Sequence, residues 1–344
     1  KIHQGALLEQ FATLRRHKLD IAFYKENGEV GMTKKEDVLN QPITEIEFEN
    51  DNFQAVLPNS TDWTFIAIKL DEKSRDYFIE NMSKLDELTF LLVKRSLYND
   101  VTKGKVKADV FINVMMPNLQ KQLENPTLIK ELGGFISSAI SYIPYHLQDK
   151  NKKVLFSKVW ELMTEAQIPT VVSELKKIST ASMSTAEDVT KMYETMRKRN
   201  EMSKKVNFDE RQQAMVTYLT SIFPNMDPSV CKEAREFLLK EAETKEFFKK
   251  RKYSLEAFDL STEAKIELWE KEILNKKRSL SYVHLIYTLL GFSSKHNSEE
   301  QRKMFVEKYF AEMPAFIERE EKQFIESFLN YGMPYREDLY RNSR

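Results

Sequence analysis

The sequence of 344 residues has little of several features that mark whole classes of protein. Its single cysteine, Cys231, excludes an internal disulfide framework and a cysteine-based zinc site, and it is typical of a reducing compartment. Lys and Arg number 53, as do Asp and Glu, so the formal net charge of +0 gives no bulk attraction to nucleic acid or an anionic membrane. No run of about 18 apolar residues predicts a membrane span. We therefore expect a cytoplasmic protein with neither nucleic acid nor membrane as partner.

Glycine is also scarce, and its distribution divides the chain. Three of the 8 glycines fall in the first 31 residues, and none lies between Gly134 and Gly291. Because turns favour glycine, the long interval without it favours helices. The hydrophobic fraction of 41%, with 22 phenylalanines, is too high for a disordered chain. The length allows roughly two domains.

Residues 1–70 have the pattern of strands in a small antiparallel β-sandwich. Polar and apolar residues alternate along 17–24, 44–49 and 63–70, and Asn27-Gly28 after the first run is a strong hairpin signal. So few short strands make a thin core. We therefore expect this unit to pack against another part of the protein.

From Asp71 onward the apolar residues recur with the helical period of 3.6, in stripes ended by residues such as Pro117 and Pro144. Three helix starts are predicted from capping patterns, at Ser184 with Glu187, at Ser261-Thr262 before Glu263, and at Asp227-Pro228. The sequence predicts a mainly α protein, in which an irregular α-helical solenoid or superhelical bowl of the HEAT/armadillo kind spans 71–344 and follows the β-sandwich of 1–70. A globular all-α domain is the alternative for the helical part.

No motif encodes a reaction. The histidines have no i, i+4 metal-binding spacing, and H-E-x-x-H is absent; they are His3, His17, His146, His284 and His296. Cys231 has no base near it in sequence, which favours a structural role. Gly133-Gly134 lies inside a helical stripe and predicts a close approach of two helices instead of a phosphate loop. The sequence thus identifies no catalytic residue and no metal ligand, and it leaves substrate-binding residues unknown.

Two basic runs, 249–252 and 276–278, stand out from the mixed charge of the chain. The first follows two phenylalanines, a combination that also occurs in nucleic-acid binding. Acidic residues precede both runs, so solvated helix ends are the favoured interpretation. The frequent methionines are predicted to pack in the core instead of lining a binding groove, among them Met115-Met116 and Met192 with Met196.

Four segments carry a resemblance to a known family. Residues 13–24 resemble an "LRPHxIxIGLY" strand, and 55–74 resemble an "LLNxDDLTYAKIRLDExS" junction between a sandwich and a helical domain. Residues 263–269 are similar to an "AKxxAW" helix, and 306–314 to a closing "YxxRYFxxLP" that a helix like 324–329 follows. In order and spacing they resemble the C-terminal half of the aminopeptidase N family of zinc metallopeptidases.

The resemblance covers nearly the whole chain, with the junction as its most specific part. Residues 150–255 match in helical character alone, and Arg16 stands where the family pattern has proline. The resemblance implies that a catalytic domain precedes this half and carries the zinc ligands of H-E-x-x-H, a distant glutamate and a G-x-M-E-N motif. None of these motifs occurs here, so no catalytic residue is carried over.

The resemblance also implies a role and partners. This half would cap the active-site cavity and gate the access of peptide substrates, with the N-terminal catalytic part of the same enzyme as its partner. Zinc is expected in that catalytic domain and not in this chain, which alone is expected to catalyse nothing. The opening residues 1–4 lack the apolar region of a signal peptide, so we expect a fragment or a processed product.

Two alternatives to an enzyme part remain open. The first is an aminopeptidase-derived scaffold without catalysis, which would serve as an interaction subunit in a larger assembly. The second is a free-standing helical adaptor unrelated to peptidases.

Overall fold

The structure is a computed structural model that describes residues 1–6, 10, 12–47, 52–197 and 206–333, and of Tyr145 and His146 the backbone alone. The protein is mainly helical, with a small antiparallel sheet near its N-terminus, as predicted. Contacts divide the chain into two compact units, Lys1–Ile143 and Pro144–Arg344. The domains 1–70 and 71–344, which follow the change of residue pattern, stay a prediction.

The strands of the first unit form two small antiparallel sheets in the described residues. One has the order β3-β2-β5 and the other pairs β1 with β4. The hairpin at Asn27-Gly28 joins β2 to β3 as predicted, and Gly28 takes the positive φ of 92° that this turn requires. The strands are β1 (Ile2–His3), β2 (His17–Tyr24), β3 (Val30–Val38), β4 (Ile43–Thr44) and β5 (Ala55–Leu57).

The helices of the first unit follow the strands. They are α1 (Glu72–Asn81), α2 (Glu87–Thr102), α3 (Ala108–Lys121) and α4 (Pro126–Ile140). The predicted end of a helix at Pro117 is wrong, because α3 continues through it. Proline leaves the carbonyl four residues earlier without its helical donor. That residue, Asn113, is exposed, as is Pro117, so water can satisfy the carbonyl.

Strand β2 is buried on both faces at residues 21–24, which confirms that the thin β-structure packs against another element. Its predicted inward face is 4% exposed at Leu19 and 2% exposed at Phe23. On the other face, the Tyr24 hydroxyl lies 3.1 Å from Thr89 Oγ1 in α2, and the Tyr24 ring meets Phe78 of α1 edge-on at 5.0 Å. The helices therefore cover the face that would be solvated in an isolated sheet.

Two of the predicted strands differ in the structure. Residues 63–70 form no strand, and within 44–49 only Thr44 belongs to one; Phe48 and Glu49 lie outside the described residues. Side-chain bonds hold the first of these segments instead of a backbone ladder, since Thr64 Oγ1 donates to the Lys18 carbonyl at 2.8 Å.

The second unit is helical throughout its described residues. Helices α8, α10, α12 and α14 contact one another in that order. The helices are α5 (Tyr145–Glu165), α6 (Pro169–Ser182), α7 (Ala186–Arg197), α8 (Glu210–Ile222), α9 (Pro228–Glu241), α10 (Glu246–Asp259), α11 (Thr262–Leu268), α12 (Tyr282–Phe292), α13 (Glu299–Arg319) and α14 (Lys322–Tyr331). A five-residue π-helix, Trp269–Ile273, continues α11. Among the described helices, none has both the length and the apolar character that a bilayer crossing requires.

The predicted helix starts are confirmed in two cases and displaced in one. The Asp227 side chain accepts from the Ser229 amide at 2.8 Å, and Ser261 Oγ accepts from the Ala264 amide at 3.3 Å. Helix α7 is capped one residue later than predicted, where Thr185 Oγ1 accepts from the Asp188 amide at 3.1 Å.

The close helix approach predicted at Gly133-Gly134 is not found at Gly134, while Gly133 is buried in α4. A Cβ added at Gly134 would meet no atom within 4 Å. A Cβ at Gly291 in α12 would lie 2.8 Å from Ala257 Cβ in α10. The second position is therefore where a missing side chain lets two helices touch.

Aromatic rings dominate the core around α12, α13 and α14. Trp269 meets Phe305 edge-on at 5.0 Å, and Phe328 stacks on Tyr309 at 4.7 Å. Such pairs add to the stability that burial alone provides. The core role predicted for the methionines is confirmed for two that are fully buried, Met115 and Met192.

Truncation of this core has a predictable effect. Leu289 is 0% exposed, so Leu289→Ala should lower the free energy of unfolding by about 2–5 kcal/mol through lost burial and a residual cavity. Urea unfolding followed by circular dichroism measures the loss. A change near zero would contradict the packing described for α12.

Candidate functional site

The histidines and the cysteine form no metal-binding cluster in the part of the chain that the structure describes. His284 stacks on Tyr253 with ring centres 3.7 Å apart, and His296 lies 4.6 Å from Phe223. Burial lowers the pKa of His296 to about 4, so at neutral pH it is an uncharged packing residue. His3 and His17 lie in β1 and β2, and the side chain of His146 lies outside the described residues.

Cys231 is a free, partly exposed thiol at the start of α9. Its Sγ donates to the Ser221 carbonyl at 3.2 Å, and Arg235 Nε donates to the same carbonyl at 3.1 Å. No base contacts the thiol among these partners. The arrangement links α9 to the end of α8, which agrees with the structural role predicted for Cys231.

The two basic runs divide into outward lysines and inward arginines. The interpretation as solvated helix ends holds for Lys276 and Lys277, which are exposed just after the π-helix, but it is wrong for the run 249–252, which lies inside α10 although Lys249 is exposed. It is also wrong for Arg278, whose side chain is 6% exposed and donates to Glu320 Oε1 at 2.8 Å. The guanidinium of Arg278 also lies 4.4 Å from the Phe324 ring centre.

Arg251 is the inward member of the first run. Its guanidinium carbon lies 5.5 Å from the ring centre of Tyr218 and 5.3 Å from that of Tyr287. Helical spacing could have predicted this position, because Arg251 follows Phe248 by three residues and precedes Leu255 by four, and both neighbours are buried.

A second inward cation, Lys265, borders a small cavity beside the π-helix. Lys265 is 3% exposed, and its amine donates to Asn297 Oδ1 at 2.8 Å and to Gln301 Oε1 at 2.9 Å. Trp269, four residues later on the same face, has a buried Nε1–H without a partner in the described residues. The cavity volume that a water-sized molecule can occupy is about 10 Å³. It can therefore hold one water that bridges polar groups, and it is too small for a peptide.

The protonation of Lys265 gives a pH-dependent stability. Burial lowers its pKa to about 8, whereas lysine in an unfolded chain titrates near about 10.4. Below about pH 8 Lys265 is protonated in both the folded and the unfolded state, and the burial of its charge lowers the free energy of unfolding by the full amount. Between the two values the unfolded state binds the extra proton, so the free energy of unfolding should rise with pH by up to about 1.4 kcal/mol per unit.

The variant Lys265→Met should lack this rise. Urea unfolding of both proteins between about pH 8 and about pH 10 measures the difference. Lys249→Met, which removes an exposed lysine, is the control and should keep the wild-type slope. Parallel curves for wild type and Lys265→Met would show that Lys265 titrates as it does in the unfolded chain.

The segment 55–74 connects β5 to α1 through a tightly held turn. Asn59 and Asp62 have positive φ values of 56° and 54°, a conformation that Asn and Asp tolerate better than other side chains. The buried Asn59 side chain donates to the Thr64 carbonyl at 2.7 Å and accepts from the Thr64 amide at 3.1 Å. The Asp71 side chain then caps α1 by accepting from the Ser74 amide at 3.0 Å.

Two large apolar side chains leave this segment toward solvent. Trp63 is 83% exposed and Phe65 is 105% exposed, while Ile68 and Leu70 further along are buried. Large apolar side chains that are exposed close together in the chain are a common basis for contact with another protein surface. The sequence matches no known protein-family model, and no curated protein matches it.

Proposed function

We propose that the chain is the C-terminal region of a zinc aminopeptidase of the aminopeptidase N type, which caps the active-site cavity and gates peptide access. The observation that carries the proposal is the junction segment 55–74. The residues in it that coincide with the family pattern also shape the backbone, since Asn59 and Asp62 form the left-handed turn and Asp71 with Ser74 caps the first helix. The residues that match the family pattern therefore shape the backbone of the junction segment and are more than a similarity of composition.

The exposed aromatic residues support a partner at the junction. Trp63 and Phe65 are the most exposed of the large apolar side chains in the described residues. In the proposed enzyme they contact the N-terminal catalytic part, which would remove this apolar area from water. This contact holds the two parts together.

The helical unit supports the proposed role of a cavity wall. Helices α8, α10, α12 and α14, which contact one another in chain order, are the arrangement expected of an irregular α-solenoid. Such a layer offers an extended surface along which peptides enter. In this proposal the zinc and the catalytic residues belong to the N-terminal part, the substrates are peptides, and the enzyme acts in the cytoplasm.

Reconstitution tests the activity. The chain is combined with the N-terminal polypeptide of its parent protein, and aminoacyl-amide hydrolysis is measured with and without a zinc chelator. The chain alone should hydrolyse nothing, and the combined protein should show chelator-sensitive activity. A parent that carries H-E-x-x-H and still shows no such hydrolysis would refute the enzyme assignment. A parent without the glutamate of that motif would favour the scaffold alternative.

The junction contact has its own test. Trp63→Ser combined with Phe65→Ser should weaken association with the N-terminal polypeptide by at least about tenfold, because both aromatic contacts are lost. Val154→Ser is the control, since Val154 is 62% exposed on α5, and it should leave association unchanged. Affinity is measured by calorimetry. Equal affinities for the wild type and the double variant would place the contact elsewhere.

A further inference from the structure

Arg251 is a partly buried cation that lacks an acceptor. Tyr218 reaches it from α8 and Tyr287 from α12, and both helices contact its own helix α10. Within the described residues its guanidinium makes no hydrogen bond and no ion pair. A guanidinium has five N–H donors, and those of Arg251 are left to water or to a ligand, since none of its nitrogens is among the fully buried atoms without a partner in the described residues.

The charges around Arg251 add to the imbalance. Burial lowers its pKa, and the charged or ionisable groups that act on it are Tyr287, Tyr218 and Arg211, with no carboxylate among them. Three other inward cations have a carboxylate, in the pairs Lys94 with Glu131 at 2.5 Å, Arg278 with Glu320 at 2.8 Å and Arg235 with Asp259 at 2.6 Å, and Lys265 has two amide oxygens as acceptors. Because an uncompensated cation in a partly buried site is unfavourable, an added anion would be favoured there.

The hydroxyl of Tyr218, whose ring centre lies 5.5 Å from the Arg251 guanidinium carbon, is a second donor without an acceptor in the described residues. Tyr218 is 5% exposed, and its buried hydroxyl has no hydrogen-bond partner in the described residues. Burial raises the pKa of this hydroxyl, so it keeps its proton at neutral pH and can donate it. Asp259 is the carboxylate that acts on the Tyr218 hydroxyl, and it already accepts hydrogen bonds from both terminal nitrogens of Arg235, at 2.6 and 3.0 Å. An acceptor for Tyr218 and Arg251 must therefore come from elsewhere.

We propose that Arg251, Tyr218 and Tyr287 form a binding site for an oxyanion, the carboxylate or phosphate group of a ligand. The in-plane N–H groups of Arg251 match two oxygens of such a group, and the tyrosine rings favour the delocalised charge of the guanidinium. The Tyr218 hydroxyl supplies a further donor. Arg211, exposed on α8, adds positive charge that acts on Arg251. The site is independent of the aminopeptidase assignment.

Titration of the whole chain tests the site. Inorganic phosphate and acetate are added separately in a buffer free of other oxyanions, and the Arg251 Nε–H signal is followed by NMR, with Arg251→Lys used to assign it. One saturable binding event is expected. The probe that binds more tightly identifies the source, acetate for a carboxylate ligand and phosphate for a phosphorylated one.

Variants separate this site from the general charge of the basic run. Arg251→Gln should weaken binding by about tenfold or more, and Tyr218→Phe, which removes only the hydroxyl, by about 3- to 10-fold. Lys249→Gln removes the same charge from an exposed position of the same run and should bind like the wild type. Circular dichroism checks that each variant is folded, and Tyr218→Phe tests the site even if Arg251→Gln fails to fold.

Three results would overturn the proposal. The first is the absence of saturable binding for both probes. The second is unchanged binding by a folded Arg251→Gln or, if that variant does not fold, unchanged binding by Tyr218→Phe. The third is a loss of binding in Lys249→Gln equal to that in Arg251→Gln. A single-stranded oligonucleotide is tested in parallel. Binding that both Arg251→Gln and Lys249→Gln weaken equally would assign the run to a diffuse nucleic-acid surface and contradict an oxyanion site at Arg251.

Discussion

Glu320→Ala should lower the free energy of unfolding by about 3–5 kcal/mol, because it leaves the Arg278 guanidinium buried without its carboxylate. The two side chains are only 6% and 4% exposed, and 2.8 Å separates Arg278 Nη2 from Glu320 Oε1. Arg278 keeps hydrogen bonds of 3.1 Å to the Glu272 carbonyl and 3.4 Å to the Ile273 carbonyl, which do not replace a counter-charge in direct contact. Urea unfolding followed by circular dichroism gives the difference.

A surface pair provides the matched control for this prediction. Glu267 lies 2.7 Å from Lys271, and both side chains are at least 65% exposed. Glu267→Ala should change stability by less than about 1 kcal/mol. Combining Arg278→Met with Glu320→Leu removes both charges and should recover a good part of the loss. If Glu320→Ala were as mild as Glu267→Ala, the Arg278 charge would have to be solvated.

Gly291→Ala should destabilise the protein by about 1–3 kcal/mol and Gly291→Val by more, although alanine is the better helix former. A Cβ at this position would lie 2.8 Å from Ala257 Cβ and 3.1 Å from the Phe258 amide nitrogen, and closer still to the Ser254 carbonyl. Helices α10 and α12 must separate to accept it. Their separation would also stretch the 2.8 Å bond from Ser254 Oγ to the Tyr287 carbonyl.

The same substitution at Gly134 should have the opposite sign. No atom lies within 4 Å of a Cβ built there, and the residue is exposed in α4. Gly134→Ala should therefore stabilise its unit by about 0.5–1 kcal/mol through helix propensity. Adding Ala257→Gly to Gly291→Ala should relieve part of the clash. Equal effects of alanine at the two glycines would contradict the close approach of α10 and α12.

Local signals explain which features could be predicted from the sequence. The caps at Asp227 and Ser261 are correct because capping involves neighbours two or three residues away. The hairpin at Asn27-Gly28 is correct for the same reason. The strand predicted from the alternation along 63–70 is wrong, because the alternation specifies no partner strand and a strand requires one for its hydrogen bonds.

No sequence motif predicts the candidate sites, because they depend on which helix faces are buried together. Gly134 and Gly291 both lie inside helical stripes, and only the packing of α10 on α12 distinguishes the crowded position from the open one. Arg251 and Lys265 occupy buried faces by their spacing to Phe248 and Trp269, a signal that their charge conceals. The missing acceptor of Arg251 is a tertiary fact, since helices α8 and α12 supply its tyrosines.

The exposure of Trp63 has a spectroscopic consequence. Of the 3 tryptophans, Trp63 is 83% exposed, while Trp269 is 2% exposed and Trp160 packs on Phe156. Trp63 already meets water in the folded state, so its fluorescence should change little on unfolding, whereas emission from the other two shifts to the red. Intrinsic fluorescence therefore follows the unit Pro144–Arg344, and circular dichroism follows both units. Separate unfolding of the two units would appear as two transitions that do not coincide.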